Sequence, residues 1–313
     1  MNSRNSKRPS VPGSRKAEGA KNLRVPKIYI STYNVRTLKD DEKLLELMQE
    51  LNETKMKWHI IGLAETRRKG ELTQIEGGHL LYTKGGDVSM KGVGFLIHQS
   101  TDFEGRSDRA ASITVKINSR YSLQVIQIYA PTSSHDDVEV EELYEEVTSA
   151  MDRRQSHCHG VMGDFNAKIG RHQQSDGATT GMHGLGGRNE RGEMMVQFAI
   201  SNGLTIANTM FKKPAKRKWT WRSPNGEVKN EIDYILVNKK EIMLNIEVIN
   251  TVNIGSDHRM IRSTVRMNTK MERSRMVKAS APKINIEGLL QKREEFQIEL
   301  SNRLELRNSR KRD

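Results

Sequence analysis

The chain has 313 residues, a formal net charge of +13 and 35% hydrophobic content. That length holds one large domain or two ordinary ones, and an apolar share below the usual one leaves part of the chain expected to stay unpacked. One cysteine, Cys158, excludes an internal disulfide framework and fits a reducing, intracellular setting. No run approaches the roughly 18 apolar residues of a membrane span, and the N-terminus carries no signal-peptide core, so a soluble protein is expected.

The charge sits mainly at the two ends. Residues 1–27 carry eight Lys/Arg and one acid, residues 268–313 carry twelve and seven, and residues 28–267 hold 32 bases against 31 acids. The middle is nearly neutral, so any anionic partner must be held there by a local patch.

Residues 1–26, rich in Ser, Arg, Lys, Pro and Gly, read as a disordered basic arm. Order begins at Lys27–Tyr33, a strand pattern. Asp40 and Asp41 then cap a helix with Leu44, Leu47, Met48 and Leu51 on one face. Trp58–Ala64 reads as a buried strand, followed by strands at Gly92–His98, Ser112–Ile117 and Leu123–Ala130. Val140, Leu143, Val147, Ala150 and Met151 mark a second helix. Gly160–Phe165 is a strand, residues 170–189 form a Gly-rich loop, and Asn189 caps a helix carrying Met194, Met195, Phe198 and Ala199. The last strands are Leu204–Ala207, Lys218–Arg222, Ile232–Val237, Ile246–Val252 and Met260–Met267. Beyond Met267 a polar linker leads to an amphipathic helix through Ile286, Leu289, Leu290, Phe296, Leu300 and Leu304. Many strands with few helices predict two stacked sheets flanked by helices, over residues 27–267.

Two stretches carry chemistry. Val161-Met-Gly-Asp-Phe-Asn166 places Asp164 and Asn166 two apart after an apolar run, and Gly255-Ser-Asp-His258 places Asp257 beside His258. Carboxylates can hold a hard cation through oxygen, an amide can donate to a phosphoryl oxygen, and an imidazole titrates near neutrality. Four further segments set a polar residue at the end of a strand-like run: Ser31-Thr-Tyr-Asn34, Gly62-Leu-Ala-Glu65, Ile128-Tyr129-Ala-Pro and Asn230-Glu-Ile-Asp233. Strand ends on one rim of stacked sheets can converge on a single cleft. By contrast, His157-Cys158-His159 is no metal cluster, because adjacent strand residues point to opposite faces.

Six such segments in this order, across residues 27–267, resemble the endonuclease/exonuclease/phosphatase superfamily, whose members include DNase I, apurinic/apyrimidinic endonucleases and the endonucleases of LINE-type retrotransposons. Gly187-Arg-Asn-Glu-Arg-Gly192 and Trp219-Thr-Trp221 narrow the resemblance to RTE (BovB)-type elements. The resemblance implies an α/β fold, a DNase I-like four-layered sandwich. It implies an Mg2+- or Mn2+-dependent DNA endonuclease of retrotransposon origin, nicking one strand to leave a 3′-hydroxyl, in the nucleus. It makes Glu65 the principal metal ligand with Asn34 and Asp257 nearby. Asp164 and Asn166 position water and phosphate, Tyr129 contacts the phosphate or leaving oxygen, and Asp233 orients His258. Thr220 and Ser256 lie behind these as hydrogen bonders. Whether Asp164 or His258 deprotonates the water stays open. Where apurinic endonucleases carry Asp two residues after the Asn, this chain has Arg36, which cannot ligate a cation but can hold a phosphate.

The near-neutral middle directs attention to Lys212, Lys213, Lys216, Arg217, Lys218, Trp219, Trp221 and Arg222, six bases with two indoles, as the expected DNA contact. DNA is the expected partner, with no membrane and no obligate protein partner. Two other readings compete: a same-fold phosphatase acting on a small molecule or lipid, and a domesticated DNA- or chromatin-binding protein with a dormant site.

Overall fold

The computed structural model describes residues 27–86, 91–101, 103–105, 111–116, 121–153 and 156–267. The expected basic arm at 1–26 and the expected linker and helix at 268–313 lie outside those residues.

The first two strands, β1 (Ile28–Asn34) and β2 (Ile60–Ala64), are joined through helix α1 (Asp41–Glu53). Asp40 caps α1 by accepting from Lys43 N, and Leu44, Leu47, Met48 and Leu51 form its buried face. Next come β3 (Glu71–Glu76), β4 (His79–Lys84), β5 (Val93–Ile97), β6 (Phe103–Gly105), β7 (Ala111–Lys116) and β8 (Ser122–Tyr129). Helix α2 (Asp137–Asp152) leads to β9 (Cys158–Asp164). Helix α3 (Glu190–Ser201) has Asn189 as its N-cap, accepting from Gly192 N. Then follow β10 (Thr205–Ile206), β11 (Trp221–Arg222), β12 (Lys229–Asn230), β13 (Asp233–Val237), β14 (Met243–Ile249) and β15 (Met260–Val265).

Among the described residues these make a seven-stranded sheet ordered β14-β15-β1-β2-β5-β4-β3, a six-stranded sheet ordered β10-β13-β9-β8-β7-β6, and the small β11–β12 ribbon. Three apolar clusters stack them into layers. Ile30, Ile60, Phe95, Val125, Met162, Ile235 and Ile261 fill the space between the sheets. Leu44, Leu47 and Leu51 of α1 pack with Ile61, Leu63 and Leu96 on the outer face of the larger sheet. Val140 and Val147 of α2 and Met195 and Val196 of α3 pack with Ile126, Val161 and Leu236 on the outer face of the smaller one. The arrangement is the expected four-layered α/β sandwich.

Several boundaries differ from the sequence reading. The β3–β4 hairpin was not anticipated, because β3 alternates between exposed and half-buried residues at a sheet edge and buries no full apolar face. The run 204–207 shortens to two strand residues, and 218–222 shortens to Trp221–Arg222. Each pairs only briefly before the chain turns away.

Between β8 and β9, neighbours in the smaller sheet, the chain needs glycine. Gly163 has φ +148°, and a Cβ there would lie 2.1 Å from Ile128 O on the neighbouring β8. Gly163→Ala is therefore expected to destabilise the domain by about 1–3 kcal/mol, a drop in thermal midpoint that calorimetry would register. An unchanged midpoint would mean that β8 and β9 can separate at this point without cost.

Candidate active site

The register of the sheets brings the polar strand ends together. β1 and β2 run parallel with Asn34 opposite Ala64, which places Asn34 beside Glu65. In the other sheet, parallel β8 and β9 set Tyr129 opposite Asp164, and antiparallel β13 sets Asp233 opposite Asp164. His258 lies just ahead of β15 and is bridged to Trp221 of β11. Four of the turning points are non-glycine residues in the left-handed region: Arg36 (φ 58°), Glu65 (54°), Arg67 (56°) and Asn166 (48°). Each sits just past the end of β1, β2 or β9, where conformational strain of this kind gathers at functional sites.

The side chains form one continuous chain of contacts. Asp233 Oδ2 is 2.9 Å from His258 Nδ1, and His258 Nε2 is 3.7 Å from Asp164 Oδ2. Asn34 Nδ2 donates to Asp164 Oδ2 at 3.0 Å and to Glu65 Oε1 at 2.8 Å. Glu65 Oε2 pairs with Arg67 at 3.1 Å. Asp164 Oδ1 accepts the Asn166 amide at 3.0 Å. Asn34, Asp164, Asp233 and His258 are buried, so their charges act on one another through little water.

Supports lie behind this chain. Thr220 Oγ1 accepts from the amides of Ile232 and Asp233 at 3.1 and 3.2 Å and so fixes the start of β13. Ser256 Oγ donates to Asn34 O at 2.7 Å and accepts from His258 N at 3.1 Å, tying the histidine loop to β1. Trp221 Nε1 donates to Asp257 Oδ2 at 3.1 Å.

Burial and charge set the protonation states. Burial, reinforced by Asp233, pushes the Asp164 carboxyl up to about 7. For His258, burial favours the neutral ring, but Asp233 and then Asp164 outweigh it and raise the imidazole to about 9. Burial and the nearby Glu65 and Asp164 hold the Tyr129 hydroxyl well above its ordinary value, so it remains a donor at neutral pH.

The same residues fit a hard divalent cation. Glu65, Asp164 and Asp233 bring three carboxylates against two cations, Arg67 and protonated His258. Asp164, Asp233 and His258 bring one oxygen or nitrogen each within 4.8 Å of the others, and of these the carboxylate oxygens can face a cation while the protonated imidazole stays a donor. The buried Asp233 Oδ1 has no hydrogen-bond partner among the described residues. Such a site holds an uncompensated negative charge that a proton or a metal ion can neutralise. Asn34 is an orienting bridge in this arrangement: its oxygen accepts Arg36 N at 2.9 Å and its nitrogen faces the carboxylates.

The structure places the remaining assigned residues. Asn166 Nδ2 donates one of its two N–H groups to Ala130 O at 2.8 Å, which fixes the side chain at the end of β9. Asp257 accepts from Trp221 through Oδ2, and its charge also bears on His258. Lys218, expected on DNA, is buried: its Nζ donates to His183 O and, at 3.1 Å, to Asn208 O, and lies 3.5 Å from Glu231. Lys213 bonds Asn245 at 2.8 Å. The Trp219 ring carries the Arg259 guanidinium 3.2 Å from its centroid, so that face is not a bare stacking platform for a base, and Trp221 is tethered at its edge to Asp257. Arg36, Lys212, Lys216, Arg217 and Arg222 are exposed. Arg67 was not anticipated, although the spacing in Glu65-Thr-Arg67 resembles the two-residue step of Asn34-Val-Arg36.

Comparison with known proteins agrees with this geometry. The endonuclease domain of TRAS1, a telomere-specific non-LTR retrotransposon, superposes with a TM-score of 0.52 at 11% identity, covering 77% of this chain and all of that one. The AP endonuclease LMAP from Leishmania major gives 0.56 at 13% identity, covering 77% and 88%. The chain has the endonuclease/exonuclease/phosphatase fold. The model of the endonuclease–reverse transcriptase family matches residues 123–262, the part of the fold that holds Tyr129, Asp164, Asp233 and His258. Craniofacial development protein 2 of Bos taurus is 29% identical over 256 residues, which is 77% of this chain and 41% of that protein. The chain therefore spans less than half the length of the curated relative it matches. The cleft lies where the strand ends of both sheets meet.

Proposed function

We propose that this domain is a divalent-metal-dependent DNA endonuclease of retrotransposon origin, one that nicks a strand by hydrolysis and leaves a 3′-hydroxyl. The observation that carries the reading is the unbroken line from Asp233 through His258, Asp164 and Asn34 to Glu65. A binding protein has no use for a buried carboxylate–imidazole pair aimed at a second carboxylate that titrates near 7. The TRAS1 and LMAP likenesses and the endonuclease–reverse transcriptase family match support DNA over a small phosphorylated molecule or a lipid.

Glu65 would hold Mg2+ or Mn2+, with Asp164 beside it, and the cation would supply charge stabilisation at the phosphoryl oxygens. His258, protonated through most of the neutral range, faces the same phosphate and stabilises its developing negative charge. Asp233 fixes the Nδ1 proton of that ring and keeps it cationic. Asp164, whose carboxyl gains and loses a proton near pH 7, takes the proton from the attacking water. Tyr129, held as a neutral phenol, donates to a phosphate or leaving oxygen. A nuclear location and DNA-gripping roles for the basic segments at 1–26 and 268–313 complete the reading.

The purified chain is expected to relax supercoiled plasmid in Mg2+ and to lose that activity in EDTA. Undiminished nicking in EDTA would rule out the metal route. A metal-dependent release of phosphate from monoesters or lipids, with plasmid untouched, would favour the phosphatase reading.

A further inference from the structure

On the β11–β12 flank of the cleft lie two cations on one indole, with a third close to one of them. The Arg259 guanidinium is seated 3.2 Å from the Trp219 ring centroid, and Lys229 Nζ is 5.2 Å from it. Arg259 immediately follows His258, and its amide donates to Thr220 O at 2.6 Å, so the backbone that positions the imidazole also positions this arginine. Arg222, on β11, donates its amide to Asp257 O at 3.0 Å. Arg222 and Lys229 are exposed and Arg259 is half-buried. Burial first, and the charge of Arg222 second, hold the Arg259 guanidinium below its usual range, which marks two like charges kept near each other. Five arginines of the domain are paired, Arg67 with Glu65, Arg68 with Asp41, Arg188 with Asp176, Arg191 with Asp137 and Arg262 with Glu247, while Arg36, Arg171, Arg217 and Arg266 are exposed with no carboxylate partner among the described residues. Arg222, Lys229 and Arg259 have no carboxylate within ion-pair distance among the described residues.

We infer that Arg259, seated on Trp219 with Lys229 and Arg222 near it, clamps a second DNA phosphate on the β11–β12 flank of the cleft. This rests on the nuclease reading of the cleft. A guanidinium stacked on an indole keeps its in-plane N–H groups free, and these match a phosphate in bidentate fashion. The stack also orders the side chain beforehand, so less freedom is lost on binding. Arg259 follows His258 directly but turns to Trp219 while His258 turns to Asp233, so an anion on this clamp lies on the flank of the cleft, one residue along the backbone from the imidazole. A polynucleotide supplies that second phosphate; a simple phosphomonoester does not.

The test is equilibrium binding of the full chain to a fluorescein-labelled DNA duplex in EDTA, read by anisotropy across a salt series. Arg259→Ala is expected to weaken binding about tenfold and to lower the log–log salt slope by about 0.9, the loss of one phosphate contact. Trp219→Ala should weaken binding while keeping most of the slope, because the charge remains and only its seat is gone. Arg259→Lys, which should keep the slope, covers the case in which a truncated side chain disturbs the loop. Lys240→Ala, an equal charge loss at an exposed site, should move neither quantity. A parental affinity and slope in Arg259→Ala, or an equal loss in Lys240→Ala, would overturn the clamp. A chain that fails to nick plasmid but shows the Arg259-dependent slope would sink the catalytic reading and leave the clamp standing. A chain that binds no DNA would sink both.

Discussion

Asp233→Asn is expected to cut the nicking rate by about 10^4-fold, the scale seen when the carboxylate behind a catalytic histidine becomes an amide in a serine-protease triad. Asp233 is fully buried, with Oδ2 2.9 Å from His258 Nδ1, and it is the main influence raising that imidazole against the opposing effect of burial. Removing its charge leaves the ring desolvated and neutral at pH 7, able to stabilise far less charge on a phosphate. The basic limb of the parent's pH–rate profile should lie near pH 9, where His258 loses its proton, and should move to lower pH in Asp233→Asn. His258→Ala should match the rate loss without a basic limb to move. Near-parental turnover in either variant, with the fold intact by circular dichroism, would remove the pair from the mechanism. The same two groups tie stability to pH. Asp164 and His258 both have folded-state values above their ordinary ones, near 7 against 3.8 and near 9 against 6.5. The folded domain therefore holds extra protons, and its melting temperature in EDTA should fall as pH rises from 6 to 9. Mg2+ should offset that fall by taking the proton's place.

Lys218→Met is expected to cost about 3–5 kcal/mol of stability, the penalty for leaving one partner of a buried ion pair unpaired. Lys218 serves three oxygens: Glu231, His183 O and Asn208 O. Asn208 in turn donates to Asp233 O at 3.1 Å and accepts from Ile235 N at 3.0 Å. The lysine thus underpins the start of β13, the strand that carries Asp233. Burial holds Glu231 near 7 although Lys218 pulls it down. Without the lysine the carboxyl must keep its proton to stay buried. The deficit should therefore grow with rising pH, since a folded-state value raised above the ordinary one gives stability that is lost as pH passes through it. Chemical denaturation at pH 6 and pH 8 would show this. Lys218→Met combined with Glu231→Gln should recover much of the loss. A single variant as stable as the parent would show that the pair is incidental to the fold.

Most of this architecture was legible in the chain because the informative residues sit at strand ends. Apolar runs announced β1, β2, β8, β9 and β13, and each borders a polar residue that the register then carried to the cleft. The caps at Asp40 and Asn189 were readable for the same local reason. The β3–β4 hairpin escaped because its strands lack a clean apolar face, although Gly77-Gly78, with φ values of 55° and 82°, is a two-residue hairpin signal that could have disclosed it. The basic segment at 212–222 misled for another reason. Composition counts charges without regard to which way they point. Only the fold could reveal that Lys218 turns inward to Glu231, while Arg259, far along the chain from that basic run, joins Trp219.

The pairing of β1 with β15 has a consequence for biosynthesis. Ile28 lies opposite Val265, and Ser256 bonds to Asn34 across the same seam, so the first and last strands of the domain close one sheet and the cleft with it. On a translating ribosome, β1 must wait for the whole intervening stretch before its partner emerges. Asp233 and Asp164 can meet earlier, but His258 arrives last. A nascent or prematurely truncated chain lacking β15 and the histidine before it therefore carries Asp164 and Asp233 without the imidazole that bridges them, and the cleft stays incomplete until the last strand is in place.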